Sequence, residues 1–141
     1  MMKANEVAEV IKEYVDEIKI ENVRRVFATT DEERCRAAML ALKQRDVQHL
    51  STISGVDRGD AITVVYHLDC RPALLSLKLN LPKSTPKVQT ITDIFPGAIL
   101  YERDLMEMLG VKVEGHPDPR RLFLADDWPA GVYPLRKEAK K

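Results

Sequence analysis

The sequence has too few thiols for a bound redox centre or a disulfide framework. Only two of its 141 residues are cysteine, Cys35 and Cys70. An iron–sulfur cluster needs about four cysteine thiolates, and a structural zinc ion needs about four cysteine or histidine ligands. This low content also indicates a reducing compartment. We therefore predict that the chain holds no cofactor and that both cysteines are small buried apolar side chains.

The chain also lacks net charge and long apolar runs. Lys+Arg and Asp+Glu both number 22. Proteins that bind nucleic acid by neutralising phosphates are usually basic, so we expect no nucleic-acid partner. No run approaches the roughly 18–20 apolar residues of a membrane span. Charges every few positions in residues 1–20 argue against a signal peptide. Any membrane association is therefore expected to be indirect, through other proteins.

The common motifs of nucleotide-binding and hydrolytic enzymes are absent: there is no GxxxxGK[ST], GxGxxG or GxSxG. His49 and His67 are predicted on opposite faces of a hairpin, which argues against a metal pair. His116 stands in a turn between glycine and proline, and as a general base it would need a substrate site nearby. A structural or interface hydrogen bond is the favoured reading of His116.

Acidic residues gather on one predicted helix near residues 100–109. Glu102 and Asp104 are two positions apart and cannot face each other, whereas Arg103 and Glu107 can form a surface ion pair. This pattern does not favour acid–base chemistry. A small stand-alone enzyme that uses His116 and these carboxylates is kept as an alternative.

The residues that are present predict an α+β fold. Apolar residues from Val7 to Ile18 recur at helical spacing, and this first helix is predicted to end at residues 21–22. A strand over residues 23–29 follows, with Val26 and Phe27 in the core.

A capping box then predicts the start of a second helix near Asp31. Thr30 supplies the hydroxyl and Glu33 the carboxylate three residues later. The apolar stripe of this helix is predicted to consist of Cys35, Ala38, Met39 and Leu42.

Three consecutive stretches then change to a period of two. Residues 47–56, 61–69 and 75–81 are predicted strands, separated by turns at residues 57–60 and 71–72. Such a meander has one buried face. The fold class is therefore α+β: a two-layer domain with an antiparallel or mixed sheet meander packed by helices.

The last third of the chain predicts a helix followed by a long extended arm, residues 111–137. Prolines 117, 119, 129 and 134 prevent regular structure there. The arm is nevertheless apolar, so we expect it to lie on another surface. Its apolar residues are Val111, Val113, Leu122, Phe123, Leu124, Trp128, Val132, Tyr133 and Leu135. We predict a globular domain over residues 1–94 and a helix with a partner-binding arm over residues 95–141.

Composition alone leaves open whether the arm covers its own sheet or another protein. Trp128 and several arginines are residue types that dominate interface energetics. These residues favour contact with another protein. The other possibility, an adaptor whose arm folds back on itself, is kept as a second alternative.

Three blocks in this region resemble a known family. ERDLMEMLG (102–110), GHPDPRRLFL (115–124) and YPLRKE (133–138) resemble the signature of the C subunits of NADH-quinone oxidoreductases, in respiratory complex I. DDWPAGVYPLRKE (126–138) is most similar to the form in complex I-related membrane-bound [NiFe]-hydrogenases and sulfane-sulfur reductases. The chain departs from the pattern at Asp104, Glu107, Leu109 and Pro119, which favours the hydrogenase type over the quinone-reducing complex I.

The resemblance implies a non-catalytic subunit in the electron-transfer arm of a membrane-bound complex coupled to ion translocation. Its implied place is peripheral, on the cytoplasmic side of the cell membrane. The implied partners are the large hydrogenase-like catalytic subunit and a small iron–sulfur subunit, which carry iron–sulfur clusters and, in hydrogenases, nickel–iron. The motif positions imply these partner-binding residues, to which the arm's composition adds Trp128: Glu102, Arg103, Gly110, Gly115, His116, Pro117, Asp118, Arg120, Arg121, Trp128, Pro134, Leu135, Arg136 and Lys137.

Overall fold

A computed structural model describes residues 2–120, 124 and 127–139. In this part of the chain the elements are α1 (Ala4–Ile11), β1 (Glu17–Asn22), β2 (Arg25–Thr30), α2 (Glu32–Gln44), β3 (His49–Asp57), β4 (Ala61–Asp69), β5 (Leu74–Pro82), β6 (Lys87–Gln89), α3 (Ala98–Leu109) and β7 (Lys112–Glu114). Single 3-10 turns lie at Lys12–Tyr14 and Lys137–Ala139.

Contacts along the chain group the residues into two compact units. One unit contains residues 1–52 and 65–79, and the other contains residues 53–64 and 80–141. The division at residues 94 and 95 that the sequence suggested stays a prediction.

A five-stranded mixed sheet has the order β1-β2-β5-β4-β3. β1 pairs with β2 antiparallel, and β2 pairs with β5 in parallel. β3, β4 and β5 are joined by connections of three and four residues, too short for anything but antiparallel neighbours. The alternating side chains Ile62, Val64, Tyr66 and Leu68 are all buried. The predicted α+β fold with its strand meander is thus confirmed.

Residues 12–22 do not continue the first helix, so that prediction is wrong. α1 ends at Ile11, and residues 17–22 form the edge strand β1. β-branched Ile18 and Ile20 alternate there with charged residues, and the backbone pairs with β2 across the two-residue turn at 23–24. The helical spacing of apolar residues buries a face of α1 only as far as Ile11. Beyond α1, pairing of the backbone with a neighbouring strand is more stabilising than a continued helix.

Helix α2 begins where predicted, but a different residue caps it. The Asp31 carboxylate accepts the N–H of Arg34 at 2.9 Å. The Thr30 hydroxyl instead donates to the carbonyl of Tyr14 at 2.6 Å. The prediction that the Thr30 hydroxyl caps the helix is therefore wrong. The predicted stripe is buried throughout: Cys35, Ala38, Met39 and Leu42.

Phe27 was predicted in the core and is only half-buried, so that prediction is wrong. Val26 next to it is fully buried, and successive side chains of a strand point to opposite faces. The Phe27 ring lies instead beneath the guanidinium of Arg25, 5.1 Å from its centroid. Ala28, two positions after Val26 and on the same face of the strand, is the next core residue of β2.

In the second unit, α3 packs against β3 at Gly55. A Cβ placed on Gly55 would lie 2.5 Å from Leu109 Cδ1 and 2.9 Å from Leu105 Cδ2. Both leucines are buried, so they have little room to move. Glycine at this strand position therefore allows the helix to approach closely.

We expect Gly55→Ala to lower the free energy of unfolding by about 1–3 kcal/mol, because the added methyl group forces Leu105 and Leu109 out of their packed positions. Urea unfolding curves measure this change. Gly97→Ala is the control, since a Cβ at Gly97 meets nothing within 4 Å. Equal stability of the two variants would show that the leucines accommodate the methyl group freely.

Candidate functional site

The candidate site consists of α3 and the described part of the arm, and Glu102 lies at its centre. The Glu102 carboxylate is fully buried, and it accepts the Thr90 hydroxyl at 2.6 Å and the Ile91 N–H at 2.8 Å. Burial raises the pKa of Glu102, and these two hydrogen bonds oppose that effect. Glu102 therefore fastens α3 to the residues that follow β6, and it is not a surface group.

His116 fastens the first turn of the arm to the same helix. Its Nε2 donates to the carbonyl of Ile99 at 2.9 Å, which leaves Nδ1 to accept the N–H of Asp118 at 3.0 Å. Nε2 also lies 3.9 Å from the Glu102 carboxylate, and the imidazole is 1% exposed. Both ring nitrogens are thus engaged within the chain. This geometry favours the structural hydrogen bond over the general base of the stand-alone enzyme.

Arg103 forms a third connection between α3 and the arm. Its Nε donates to the carbonyl of Arg120 at 2.8 Å, and its guanidinium lies 3.7 Å from Asp118. Arg103 and Glu107 are 9% and 8% exposed. The prediction placed them at the surface as an ion pair, and it is wrong because both residues are buried. The turn at residues 116–120 contacts Arg103 through Asp118 and the Arg120 carbonyl.

Asp118 and Arg120 form an ion pair at the outer side of that turn. The Arg120 guanidinium donates to both oxygens of Asp118, at 2.7 and 2.8 Å. These bonds lower the pKa of Asp118 to about 2. Because the Arg120 side chain is 79% exposed, it presents a positive charge to solvent.

The block at residues 133–137 covers the C-terminal end of α3. The last carbonyls of a helix have no partner inside the helix. Here the N–H of Leu135 donates to the carbonyl of Met108 at 2.9 Å, and Arg136 Nε donates to that of Leu109 at 2.7 Å. A cation at this end also suits the helix dipole.

Gly110 and Tyr133 make this close fit possible. Gly110 follows the helix in the left-handed conformation, with φ of 71°. The Tyr133 ring lies directly over it, and the Arg136 guanidinium lies 5.0 Å from the centroid of that ring. The PLRK block of the arm therefore acts as a helix cap within its own chain.

Asp57 holds the end of the arm, although its sequence context predicted only a turn. Its carboxylate is 2% exposed. It accepts the N–H groups of Lys137 and Gly59, each at 2.8 Å, and pairs with Lys83 Nζ at 2.8 Å. Lys83 also binds Glu138 at 2.8 Å. The hydrogen bond from the Lys137 N–H, and next in size the one from Lys83, hold the pKa of Asp57 well below its usual range.

The predicted partner-binding residues fall into two groups. Glu102, Arg103, Gly110, His116 and Arg136 make the internal contacts above. The other described members have part of their surface open to solvent: Gly115, Pro117, Asp118, Arg120, Trp128, Pro134, Leu135 and Lys137. Arg121 lies outside the described residues, as do the arm residues Leu122 and Phe123. A role for all of these in partner binding stays a prediction.

Neither a metal cluster nor a membrane-spanning helix is found in the described residues. Residues 2–120, 124 and 127–139 contain no group of three His, Cys, Asp or Glu side chains that could hold a metal ion. Within these same ranges no helix is long and apolar enough to cross a membrane. Both cysteines are buried, which raises the pKa of each thiol to about 12.

Fold and site together define a small α+β protein with a helix-capping arm, and comparisons with known proteins identify the family. The model for the respiratory-chain NADH dehydrogenase 30 Kd subunit matches residues 28–141. The beta subunit of the membrane-bound hydrogenase of Pyrococcus furiosus is 36% identical over 99% of this chain and 88% of its own length. The C subunit of the F(420)H(2) dehydrogenase of Methanosarcina mazei is 33% identical over 89% and 82%.

Two solved structures share the fold. A chain of the membrane-bound sulfane sulfur reductase, an archaeal respiratory membrane complex, superposes with a TM-score of 0.83 at 27% identity, covering 95% of this chain and 83% of that one. A trypsin-resistant fragment of Nqo5 superposes with a TM-score of 0.66 at 25% identity, covering 81% and 94%.

The chain belongs to the family of the respiratory-chain NADH dehydrogenase 30 Kd subunit. The resemblance drawn from the three sequence blocks is thereby confirmed. The prediction of a subunit of a membrane-bound, complex I-like oxidoreductase is also confirmed.

Proposed function

We propose that this chain is a non-catalytic subunit of the hydrogenase or sulfane-reductase type that holds the large catalytic subunit beside a small iron–sulfur subunit. The observation that carries the proposal is the near full-length likeness to the beta subunit of the hydrogenase and to a chain of the sulfane sulfur reductase. In this proposal the partners carry the iron–sulfur clusters and, in a hydrogenase, nickel–iron. The chain binds them on the cytoplasmic side of the membrane.

The internal contacts of the arm support a scaffolding role. α3 carries the arm at two places, near residues 116–120 and at residues 133–137, and Asp57 holds the end of the arm. A segment fixed in this way loses little conformational freedom when a partner binds, which favours affinity. The apolar side chains that the arm leaves exposed, Val132 at 42% and Leu135 at 47%, then contribute to the interface.

Purification through a tag on this chain tests the proposal. We expect a hydrogenase-like large subunit and a small iron–sulfur subunit to co-purify from solubilised membranes in equal copy number. Two CxxC pairs in the large subunit would indicate a hydrogenase. A large subunit without them would indicate a sulfane reductase or a quinone reductase, which the likeness to the C subunits of NADH-quinone oxidoreductases keeps as a second candidate. A chain that purifies alone would contradict the proposal.

The same purification tests the arm with Arg120→Ala combined with Arg121→Ala. We expect weaker recovery of the partner subunits, because interface arginines bind acidic groups strongly. The fold of residues 1–90 should be unchanged, which circular dichroism and a thermal melt of the isolated chain can check. Arg58→Ala, an exposed residue of the β3–β4 turn, serves as the control. Normal assembly and activity of the double variant would contradict docking through the arm.

A further inference from the structure

β1 is an end strand of the five-stranded sheet in the first unit. One of its edges pairs with β2, with a shift of register between Ile20 and Asn22. Beside its other edge, which we call the outer edge, there is no strand in the part of the chain that the structure describes. The N–H and C=O groups at such an edge can bind a further strand.

The hydrogen bonds of β2 show which of its residues face β1. Successive residues of a strand direct their N–H and C=O groups to opposite edges. The carbonyl of Arg24 accepts the N–H of Leu74 in β5 at 2.8 Å, whereas the carbonyl of Thr29 accepts the N–H of Asp16, just before β1, at 2.7 Å. Both bonds agree that alternate residues of β2, Phe27 among them, face β1.

The outward groups of β1 follow from this alternation. Lys19 lies opposite Phe27, so its backbone groups face β2. Its neighbours Ile18 and Ile20 then direct their N–H and C=O groups to the outer edge. That edge therefore offers two donors and two acceptors in line to a further strand.

The side chains of Ile18 and Ile20 leave the apolar layer open at the same edge. They lie opposite Ala28 and Val26, which are both buried in the core, so all four side chains are on one face of the sheet. Ile20 is nevertheless 47% exposed. A groove of about 450 Å³ is lined by these isoleucines and by residues of α1 and the turn after it: Asn5, Ala8, Glu9 and Lys12. A strand added to β1 would place an apolar side chain in this groove.

The charge on the other face of β1 argues against a second copy of this chain as the added strand. A closed dimer would pair its two β1 strands antiparallel. The outward groups of both isoleucines bond to one another when Ile18 lies opposite Ile20, which places Lys19 directly opposite Lys19 of the second copy. Like charges in that position destabilise a sheet. An acidic residue opposite Lys19 would stabilise it instead.

We propose that the outer edge of β1 binds an extended segment of another subunit of the complex as a sixth strand. The segment carries an acidic residue opposite Lys19 and, next to it in sequence, an apolar residue that fills the groove. Hydrogen bonds from the main chain supply affinity, and these two side chains supply specificity. The proposal rests on the proposed function, since it requires a partner subunit, and it adds a contact made by the sheet to those made by the arm.

Hydrogen exchange resolved to single amides, compared between the isolated chain and the purified complex, tests the pairing. In the isolated chain the amides of Ile18 and Ile20 should exchange rapidly, because they face solvent, and that of Lys19 slowly. In the complex, exchange at both isoleucines should slow by roughly tenfold or more. The Lys19 amide is the internal control, since it bonds to β2 in both states and should change less.

Three results of this experiment would overturn the proposal. The first is unchanged exchange at Ile18 and Ile20 in the complex. The second is slow exchange in the dilute isolated chain, because another part of this chain would then cover the edge. The third is slowing that depends on the concentration of the isolated chain, which would show a second copy in place of a partner subunit. Because the complex is purified first, each result would leave the proposed function standing.

Lys19→Glu tests the charge of the added strand. A glutamate would face the acidic residue of the partner, so recovery of the partner subunits after a dilution wash should fall by roughly three- to tenfold. Lys112→Glu, the same change at an exposed lysine of β7 in the other unit, is the matched control and should leave recovery unchanged. Thermal melts of the isolated variants should match the wild type, because both lysines are exposed.

Equal recovery of the partner subunits with Lys19→Glu and Lys112→Glu, in folded variants, would overturn the proposed charge pairing. Should Lys19→Glu prevent folding, hydrogen exchange in the wild-type complex alone decides.

Discussion

Replacing Gly110 by alanine is expected to be among the most damaging single changes in this chain. Two effects add at this position. The backbone is left-handed, and the new Cβ would lie 2.7 Å from Tyr133 Cζ and closer still to Tyr133 Cε2. A side chain in that conformation costs about 1–2 kcal/mol, and displacing a packed ring costs about 1–3 kcal/mol. We therefore expect Gly110→Ala to lower the free energy of unfolding by about 2–5 kcal/mol.

Two further variants separate these effects in urea unfolding experiments. Gly131 also has a left-handed backbone, with φ of 80°, but nothing lies within 4 Å of its Cβ position. Gly131→Ala should therefore show only the backbone part, about 1–2 kcal/mol. Adding Tyr133→Ala to Gly110→Ala removes the ring, so the double variant should be less destabilised than the sum of the single changes. Strict additivity would show that Tyr133 does not press on Gly110 in solution.

Local sequence patterns predicted two strands of the sheet and the buried face of one helix. The alternation over residues 61–69 and 75–81 predicted β4 and β5, because a half-buried strand requires a period of two. The stripe from Cys35 to Leu42 predicted the buried face of α2 in the same way. Both features need information from only a few neighbouring residues.

The features that the sequence did not predict depend on partners distant in the chain. β1 is a strand because β2 pairs with it, although its spacing continued that of α1. Gly55 is required by leucines some 50 positions later, and Asp57 by Lys137. No local pattern carries such information, since each side chain is of an ordinary type at its own position.

The candidate site also shows what sequence patterns leave open. The three sequence blocks predicted Glu102, His116 and Arg136 as partner-binding residues, a role that stays a prediction, and the family they indicated is confirmed. Their side chains nevertheless bond within the chain, to Ile91, Ile99 and Leu109. A motif records that a residue is required, but not whether it serves its own fold or an interface. Here these residues hold the surface that we propose for docking.

Asp57→Asn is expected to release the end of the arm. The carboxylate is 2% exposed and bonds to Lys83, Gly59 and the N–H of Lys137. An asparagine has one acceptor oxygen, so its amide group would face a donor and leave Lys83 less well paired. Hydrogen bonds to charged groups contribute about 1.5–3 kcal/mol, and we expect a loss of that order at pH 7. The amide proton of Lys137 should also move upfield in NMR spectra.

The pH dependence gives this prediction its sharpest test. The folded-state pKa of Asp57 lies below the ordinary value of 3.8 because Lys137 N–H and Lys83 favour the ionised form. The stabilisation is therefore fully present above that ordinary value and is lost as the pH falls towards the folded-state pKa. The difference in unfolding free energy between wild type and Asp57→Asn should thus stay constant from pH 7 to about pH 5 and shrink as the pH falls further to about pH 3. Asp60→Asn, an exposed change in the same turn, should leave the wild-type profile intact. A constant difference across this range would show that Asp57 does not hold the arm through its charge.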